Sequence, residues 1–319
     1  MLRISEDQVK ETLSMKKAIS TIEDAYRDNI AGTFYSGDRI FMPINGKENV
    51  GQWLVANTET QPHFGSKFSA VFPGNRSKGL PSVISTISLY SRETGVLEAL
   101  IDANYLTAIK TGANAGVATK LYAREDAHTL GIIGTGLQAY SQVLAIQEVR
   151  KIKKLIVSDI DKKRVKEFIS MIEKVKNSDY EIVAAESNDE LVQNSDIICT
   201  CTTSHKPVFD GKKLKPGTHI NAIGSFTSFM QEIDSTTVKR ASKIVTEHMS
   251  GLWDAAGDIL IPLKNGEISK SDVTGTIGEA LVGNIKKRES NDEITLNESV
   301  GSGVLDIALA IMIYEKEKQ

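Results

Sequence analysis

The chain has 319 residues and a net charge of −3 with both signs scattered along it. That length is enough for two domains with cores of their own, and the charge pattern excludes a nucleic-acid or polyanion-binding surface. Cys199 and Cys201 lie one residue apart in an apolar stretch, so they point to opposite faces of a strand and do not pair with each other. Without further cysteines they make no metal site, and no metal is expected; a reduced cytoplasmic setting fits them. No apolar run approaches the roughly 18 residues of a membrane span, and the N-terminus lacks the apolar core of a signal peptide.

Residues 4–30 read as two helices. Ser5 with Glu6 and Asp7 opens the first, and Ser14 caps the second, whose Ala18, Ile22, Ala25, Tyr26 and Ile30 keep helical spacing. Residues 39–44, 52–57 and 63–71 read as strands divided by Gly and Asn turns. Residues 82–90 alternate as a further strand, and the turn Ser91-Arg92-Glu93-Thr94-Gly95 leads to its hairpin partner over 96–102. The first part is therefore α+β with an antiparallel sheet. A helix over 104–121 carries the chain onward, after which strand and helix alternate. Strands are expected at 129–133, 154–158, 180–184, 196–201, 219–224 and 242–246, and helices at 137–149, 162–176 and 188–194. This is a Rossmann-type doubly wound parallel sheet. The tail, 299–315, has the apolar spacing of a helix that returns to the first part.

The run 129–133 ends in Gly134-Thr135-Gly136-Leu137-Gln138-Ala139, which fits G-x-G-x-x-A between a strand and a helix. The first glycine permits the tight turn, the second lets a pyrophosphate approach the backbone, and Ala139 lets the helix sit close to the strand. The helix N-terminus then holds the phosphates. Asp159 ends the next strand about 20 residues further on, where a carboxylate meets a ribose 2′-OH. It favours NAD over NADP, although Lys162, Lys163 and Arg164 follow and leave NADP admissible. Thr202 and Thr203 follow the apolar strand at its carboxyl end, and Gly224 and Ser225 end the next strand. Both pairs stand where ligands of open α/β sheets lie.

Four stretches together resemble the ornithine cyclodeaminase and mu-crystallin family, which includes an archaeal-type alanine dehydrogenase and several ketimine reductases. They are Gly65-Ser66-Lys67 with the segment 72–81, Leu106-Thr107-Ala108-Ile109-Lys110-Thr111-Gly112-Ala113, the glycine turn, and Asn221-Ala222-Ile223-Gly224-Ser225 with Glu232-Ile233-Asp234. Ser299-Val300-Gly301 with Asp306 fits the family's tail. The resemblance implies a homodimer joined through its N-terminal sheets. It implies a substrate-binding and dimerisation domain over 1–112 with 302–319, and an NAD(P)-binding domain over 113–301. It also implies that Arg39, Lys67 and Lys110 hold a small amino or imino acid, with Lys67 as the catalytic group. Thr111 is placed on a cofactor phosphate, and Ser299, Val300 and Gly301 close the nicotinamide side.

Two positions depart from the family. Lys110 stands where the family has arginine, which exchanges a bidentate fork for a point charge. Phe226 stands where the cyclodeaminases carry a proton-transferring aspartate, and a phenyl ring carries no proton; Glu232 and Asp234 are the nearby acids. The first expectation is therefore an NAD(P)H-dependent oxidoreductase at the C–N bond of a small amino or imino acid, either a cyclic ketimine reductase or an amino-acid dehydrogenase. The alternatives are an ornithine or lysine cyclodeaminase with bound NAD, and a crystallin-like protein that binds NAD(P)H and a small ligand without turnover. For Asp306 the favoured reading is an ion pair inside the fold.

Overall fold

A computed structural model of the chain describes residues 1–45 and 49–319, the side chain of Arg76 excepted. It divides into two compact units, Met1–Lys110 with Ser302–Gln319, and Thr111–Gly301.

The first unit opens with β1 Leu2–Ile4, α1 Glu6–Thr12 and α2 Met15–Ile30. There follow β2 Phe34–Ser36, β3 Ile40–Ile44, β4 Asn49–Thr58, β5 His63–Val71, β6 Val83–Ser91 and β7 Leu97–Asp102, and then α3 Asn104–Tyr122. Ser5 and Gln8 form a reciprocal cap on α1, and the Ser14 hydroxyl accepts from Lys17 N–H at the start of α2, which satisfies donors that a helix start leaves open. The sheet runs β1-β7-β6-β5-β4-β2, with β3 also paired to β4. All its pairs are antiparallel except β1 on β7. That parallel edge departs from the expected all-antiparallel sheet: Ile4 belongs to a strand, not a helix, and is fully buried there. Three residues carry no readable alternation, and only the docking of Leu2–Ile4 against β7 makes them a strand.

The second unit begins β8 Thr129–Ile133, α4 Leu137–Val149, β9 Lys154–Ser158, α5 Lys162–Ile172, β10 Glu181–Ala184, α6 Asn188–Asn194, β11 Ile197–Thr200 and β12 His219–Ala222. It continues with α7 Ser235–Arg240, β13 Ala241–Thr246, α8 Met249–Ala255, α9 Gly257–Lys264, β14 Gly275–Thr276, α10 Ile277–Val282 and β15 Ile294–Glu298. The eight strands are all parallel, in the order β10-β9-β8-β11-β12-β15-β13-β14. The chain reverses direction across the sheet between β8 and β11, the crevice where such sheets take ligands. β15 lies in the middle of the sheet and was not anticipated. Its two asparagine and glutamate positions break the apolar run by which the other central strands were recognised.

The last element, α11 Gly303–Glu317, belongs to the first unit and packs over β4, β5 and β6. The helix expected from residue 299 begins only at Gly303, because Gly301 takes a left-handed φ of 90°. Close packing under α11 requires glycine at position 65: a Cβ there would collide with the Ser88 carbonyl oxygen and lie 3.0 Å from Leu89 Cδ2 and 3.1 Å from Ile307 Cδ1. Gly65→Ala should therefore destabilise the protein by about 1–3 kcal/mol, the usual range for overpacking. Urea or thermal unfolding checks it; an unchanged midpoint contradicts the packing described.

Candidate active site

In the first unit, β5 alternates buried and half-buried residues, which turns Gly65, Lys67 and Ser69 to the covered face of the sheet. Lys67 pairs across with Leu54 on β4 and Ile87 on β6, both buried and apolar. An ammonium in such surroundings needs an opposite charge. Asp306, wholly buried in the first turn of α11, provides it: Lys67 Nζ lies 2.8 Å from Asp306 Oδ2. Lys110, buried in α3, places its Nζ 3.8 Å from Asp306 Oδ1. Arg39 precedes β3, with its guanidinium 5.6 Å from the centre of the Phe41 ring. Burial pulls the Lys67 ammonium down to about 8; Asp306 opposes this, and the like charges of Lys110 and Arg39 reinforce it. Arg39, Lys67 and Lys110 thus act on one small region together with Asp306, which forms the ion pair expected of it.

In the second unit, the glycine turn has the geometry that a dinucleotide requires. Gly134 takes φ 89°, and a Cβ on it would sit 2.8 Å from the Cys201 carbonyl oxygen, so only glycine fits. Gly136 is the N-cap of α4, with no side-chain cap. A Cβ there would meet only Arg164 Nη2, at 3.9 Å. The first N–H groups of α4 therefore face an open approach, as a phosphate site needs. Leu137 is exposed, whereas Gln138 Oε1 is buried with no hydrogen-bond partner among the described residues. Asp159 Oδ2 accepts from the Thr135 N–H (2.8 Å) and hydroxyl (2.7 Å), and Oδ1 accepts from Asp161 N–H at 3.0 Å. Burial acts upward on this carboxyl. The donors from Asp161 and Thr135, with the Arg164 charge, bring it below the usual carboxylate range. The carboxylate thus closes the turn and retains acceptor capacity for a ribose hydroxyl. Lys162 and Lys163 are exposed at the start of α5. The open helix start, the glycine cradle and the orphaned amide oxygen together fit an adenine dinucleotide.

Two buried glutamates organise the other cofactor candidates. Glu232 accepts from the Thr200 hydroxyl (2.8 Å), Thr202 N–H (2.6 Å) and Gly224 N–H (2.6 Å). Glu247, just past β13, accepts from the Ser299 hydroxyl at 3.2 Å and from the Gly301 N–H. Asn114 donates to Ser299 Oγ at 3.3 Å, and Thr111 lies buried one turn before it in α3. Val300 is buried against Gly251. Ser225 is buried and donates to the Met230 carbonyl (3.1 Å), which fastens its own loop; Thr203 is exposed. Glu247 escaped the sequence reading because nothing near it in sequence marks it. The structure brings residues 247 and 299–301 together only through the β13–β15 pairing.

Asp258 and Glu298 lie with these acids. Asp258 Oδ1 accepts from Glu232 N–H (2.6 Å) and Ile233 N–H (3.0 Å), whereas Asp258 Oδ2 and both Glu298 oxygens have no hydrogen-bond partner among the described residues. Burial pushes Asp258 up to about 8 and Glu298 well above the usual range, and the neighbouring acids add to both shifts. Among the described residues, no group of three or more His, Cys, Asp or Glu is placed to hold a metal ion. The raised carboxyls bind protons in the folded protein that the unfolded chain has already released, so stability falls as pH rises from about 4 towards 8. Glu298→Gln, which stays neutral, should flatten that decline. Its melting temperature should match wild type near pH 4 and exceed it progressively towards pH 8. A constant difference across that range would refute the protonated state of Glu298.

Comparison with known proteins agrees with this geometry. The profile of the ornithine cyclodeaminase/mu-crystallin family matches residues 2–319. The chain is 34% identical over 316 residues to a Δ1-pyrroline-2-carboxylate reductase of Bacillus cereus, covering 99% of this chain and 96% of that one. A solved Thermococcus litoralis Δ1-pyrroline-2-carboxylate reductase, in complex with NADH and L-proline, superposes with a TM-score of 0.96 at 36% identity, covering 100% and 98% of the two chains. An archaeal alanine dehydrogenase dimer with bound NAD superposes with a TM-score of 0.93 at 32% identity, covering 100% and 96%. With its glycine turn, its buried lysine and near-complete coverage, the chain belongs to the ornithine cyclodeaminase/mu-crystallin family.

Proposed function

We propose that the protein is an NAD(P)H-dependent oxidoreductase that reduces the C=N bond of a small cyclic imino acid of the pyrroline-carboxylate class, with NADH preferred. The observation that carries this reading is the buried Lys67–Asp306 pair at 2.8 Å with Lys110 and Arg39 acting on it. Lys67 and Lys110 share the carboxylate of Asp306 at 2.8 and 3.8 Å, a cationic setting that suits a substrate carboxylate. Arg39 and Lys110 hold that carboxylate, Lys110 with less directional control than an arginine. A nicotinamide cofactor, when bound, would supply the hydride. Lys67, held near 8, carries a proton at neutral pH and gives it to the substrate nitrogen as the C=N bond is reduced. In the reverse direction its neutral amine accepts that proton, which is amino-acid oxidation. The reductase and the cofactor-bound dehydrogenase among the relatives support the same chemistry. Gly134, Thr135, Gly136, Leu137, Gln138 and Asp159 hold the adenine half. Thr111, Thr202, Thr203, Gly224, Ser225, Ser299, Val300 and Gly301 serve the remainder.

A lyase reading has no support from the acids near Phe226. Glu232 already receives three donors. Asp234 caps α7 by accepting from Thr237 N–H (2.7 Å) and also accepts from Gly211 N–H (3.1 Å). Neither stands ready for proton transfer to a substrate.

The assembly we infer is a homodimer through the first unit's sheet. Ile40, Phe41, Met42, Val83 and Ile84 expose apolar surface there, and the related alanine dehydrogenase is a dimer. No helix among the described residues is long and apolar enough to cross a membrane, and both cysteines are free; we place the protein in the reducing cytoplasm.

Incubation with NADH and Δ1-pyrroline-2-carboxylate should consume both and yield proline without ammonia; ammonia release without net NADH loss would establish the lyase instead. Lys67→Ala should lower kcat/KM by about 10²–10⁴, the usual worth of a positioned acid, while the Kd for NADH stays within about twofold. The wild-type reductive rate should fall above about pH 8 as Lys67 loses its proton, and the oxidative rate should rise. Asp159→Ala should weaken NADH more than NADPH; equal loss for both removes Asp159 from cofactor choice.

A further inference from the structure

Glu232 lies in no helix or strand, yet it is fully buried, and its carboxylate meets two separate turns. One oxygen takes the N–H of Thr202, past the end of β11; the other takes the N–H of Gly224, past the end of β12, and the Thr200 hydroxyl. The turns are as close as their residues allow. A Cβ on Gly224 would collide with the Thr202 carbonyl oxygen and sit 2.6 Å from Glu232 Oε2. Glu232 is itself anchored, because its N–H and that of Ile233 both donate to Asp258 Oδ1 at the start of α9. Hydrogen-bond supply divides the labour among these acids. Glu232 receives three donors from a hydroxyl and two peptide groups, whereas Glu298 receives none among the described residues. Burial raises the Glu232 carboxyl, and the donors from Thr202, Thr200 and Gly224 oppose that rise.

The carboxyl ends of adjacent parallel strands are where an open α/β sheet receives its ligand. We propose that Glu232 is a positioning residue: it fixes the spacing of the Thr202 and Gly224 turns and so sets the affinity for the nicotinamide half of the cofactor, without touching the cofactor. The proposal rests on the NAD(H) reading above. It separates two parts of one site. Glu232 holds the Thr202 and Gly224 turns directly by hydrogen bonds, whereas it reaches the glycine turn, which serves the adenine half, through the packing of Gly134 against Cys201 and Thr202. Replacing one acceptor oxygen by an amide NH₂ would set donor against donor at one of the two turns, at the cost of a buried unsatisfied group.

The test is a pair of fluorescence and calorimetric titrations of the full chain with NADH and with ADP-ribose, which carries the adenine half and no nicotinamide. For Glu232→Gln, the Kd for NADH should rise at least about tenfold and that for ADP-ribose should stay within about twofold. Thr200→Val removes one donor to Glu232 and leaves both turn N–H bonds; it should show the same selectivity with a smaller factor, and it decides the matter if Glu232→Gln does not fold. Equal loss for both ligands in a folded variant, or unchanged NADH binding, overturns the brace. If wild type binds neither NADH nor ADP-ribose, the cofactor reading falls and the brace with it; if wild type binds both and the variants behave like it, the brace alone falls.

Discussion

The pairing of Lys67 with Asp306 is the interaction on which the first unit's chemistry depends. Each charge is out of water, and an isolated ion in that position would cost several kcal/mol, so each is tolerable only because the other is 2.8 Å away. The pair joins β5 to α11, elements from opposite ends of the chain, and it forms only once the last helix has closed on the sheet. Burial then does two things. It keeps the pair intact, and it lowers the lysine to about 8, where it exchanges protons near neutral pH. An exposed lysine would hold its proton far too tightly to do so.

The second unit treats buried acids differently. Asp196 there pairs with Arg124 and Lys215 at 2.8 Å each, but the acids around the strand ends are answered mainly with hydrogen-bond donors. Asp159 collects the N–H and hydroxyl of Thr135 and the N–H of Asp161, and Glu232 collects three donors from two turns. Each carboxylate thereby ties together segments that the sheet alone would leave separate at its carboxyl edge. Asp258 and Glu298 lack a full set of donors and sit among like charges, so burial drives them toward the neutral form. Burial raises Glu232 as well, and its three donors oppose that rise.

The alternation of strand and helix from Thr129 onward, the glycine turn and the acid after β9 were legible in the sequence, because each is a local pattern with a local cause. The same holds for the Ser14 cap and for β5, whose alternation already places Lys67 on one face. The parallel edge strand β1 and the central strand β15 were not legible. The first is too short to show a period, and the second carries Asn297 and Glu298 where a buried strand is expected to be apolar. Asn297 is accommodated because its amide reaches the Asn221 side chain on the neighbouring strand, at 2.9 Å.

The site divides in the same way. The sequence by itself determined which residue types were available and where the backbone had to bend: glycine at 134 and 136, lysine at 67 and 110, arginine at 39, aspartate at 159. Backbone sterics and periodicity act between near neighbours in the chain, so those features are written locally. Only the tertiary structure decided that Asp306 would sit against Lys67, that Glu232 would span two turns, that Glu247 would hold Ser299 and Gly301, and that Glu298 would find no donor among the described residues. Those outcomes depend on which side chains lose water together, and the loss of water is a property of the packed sheet and its helices, not of any one segment.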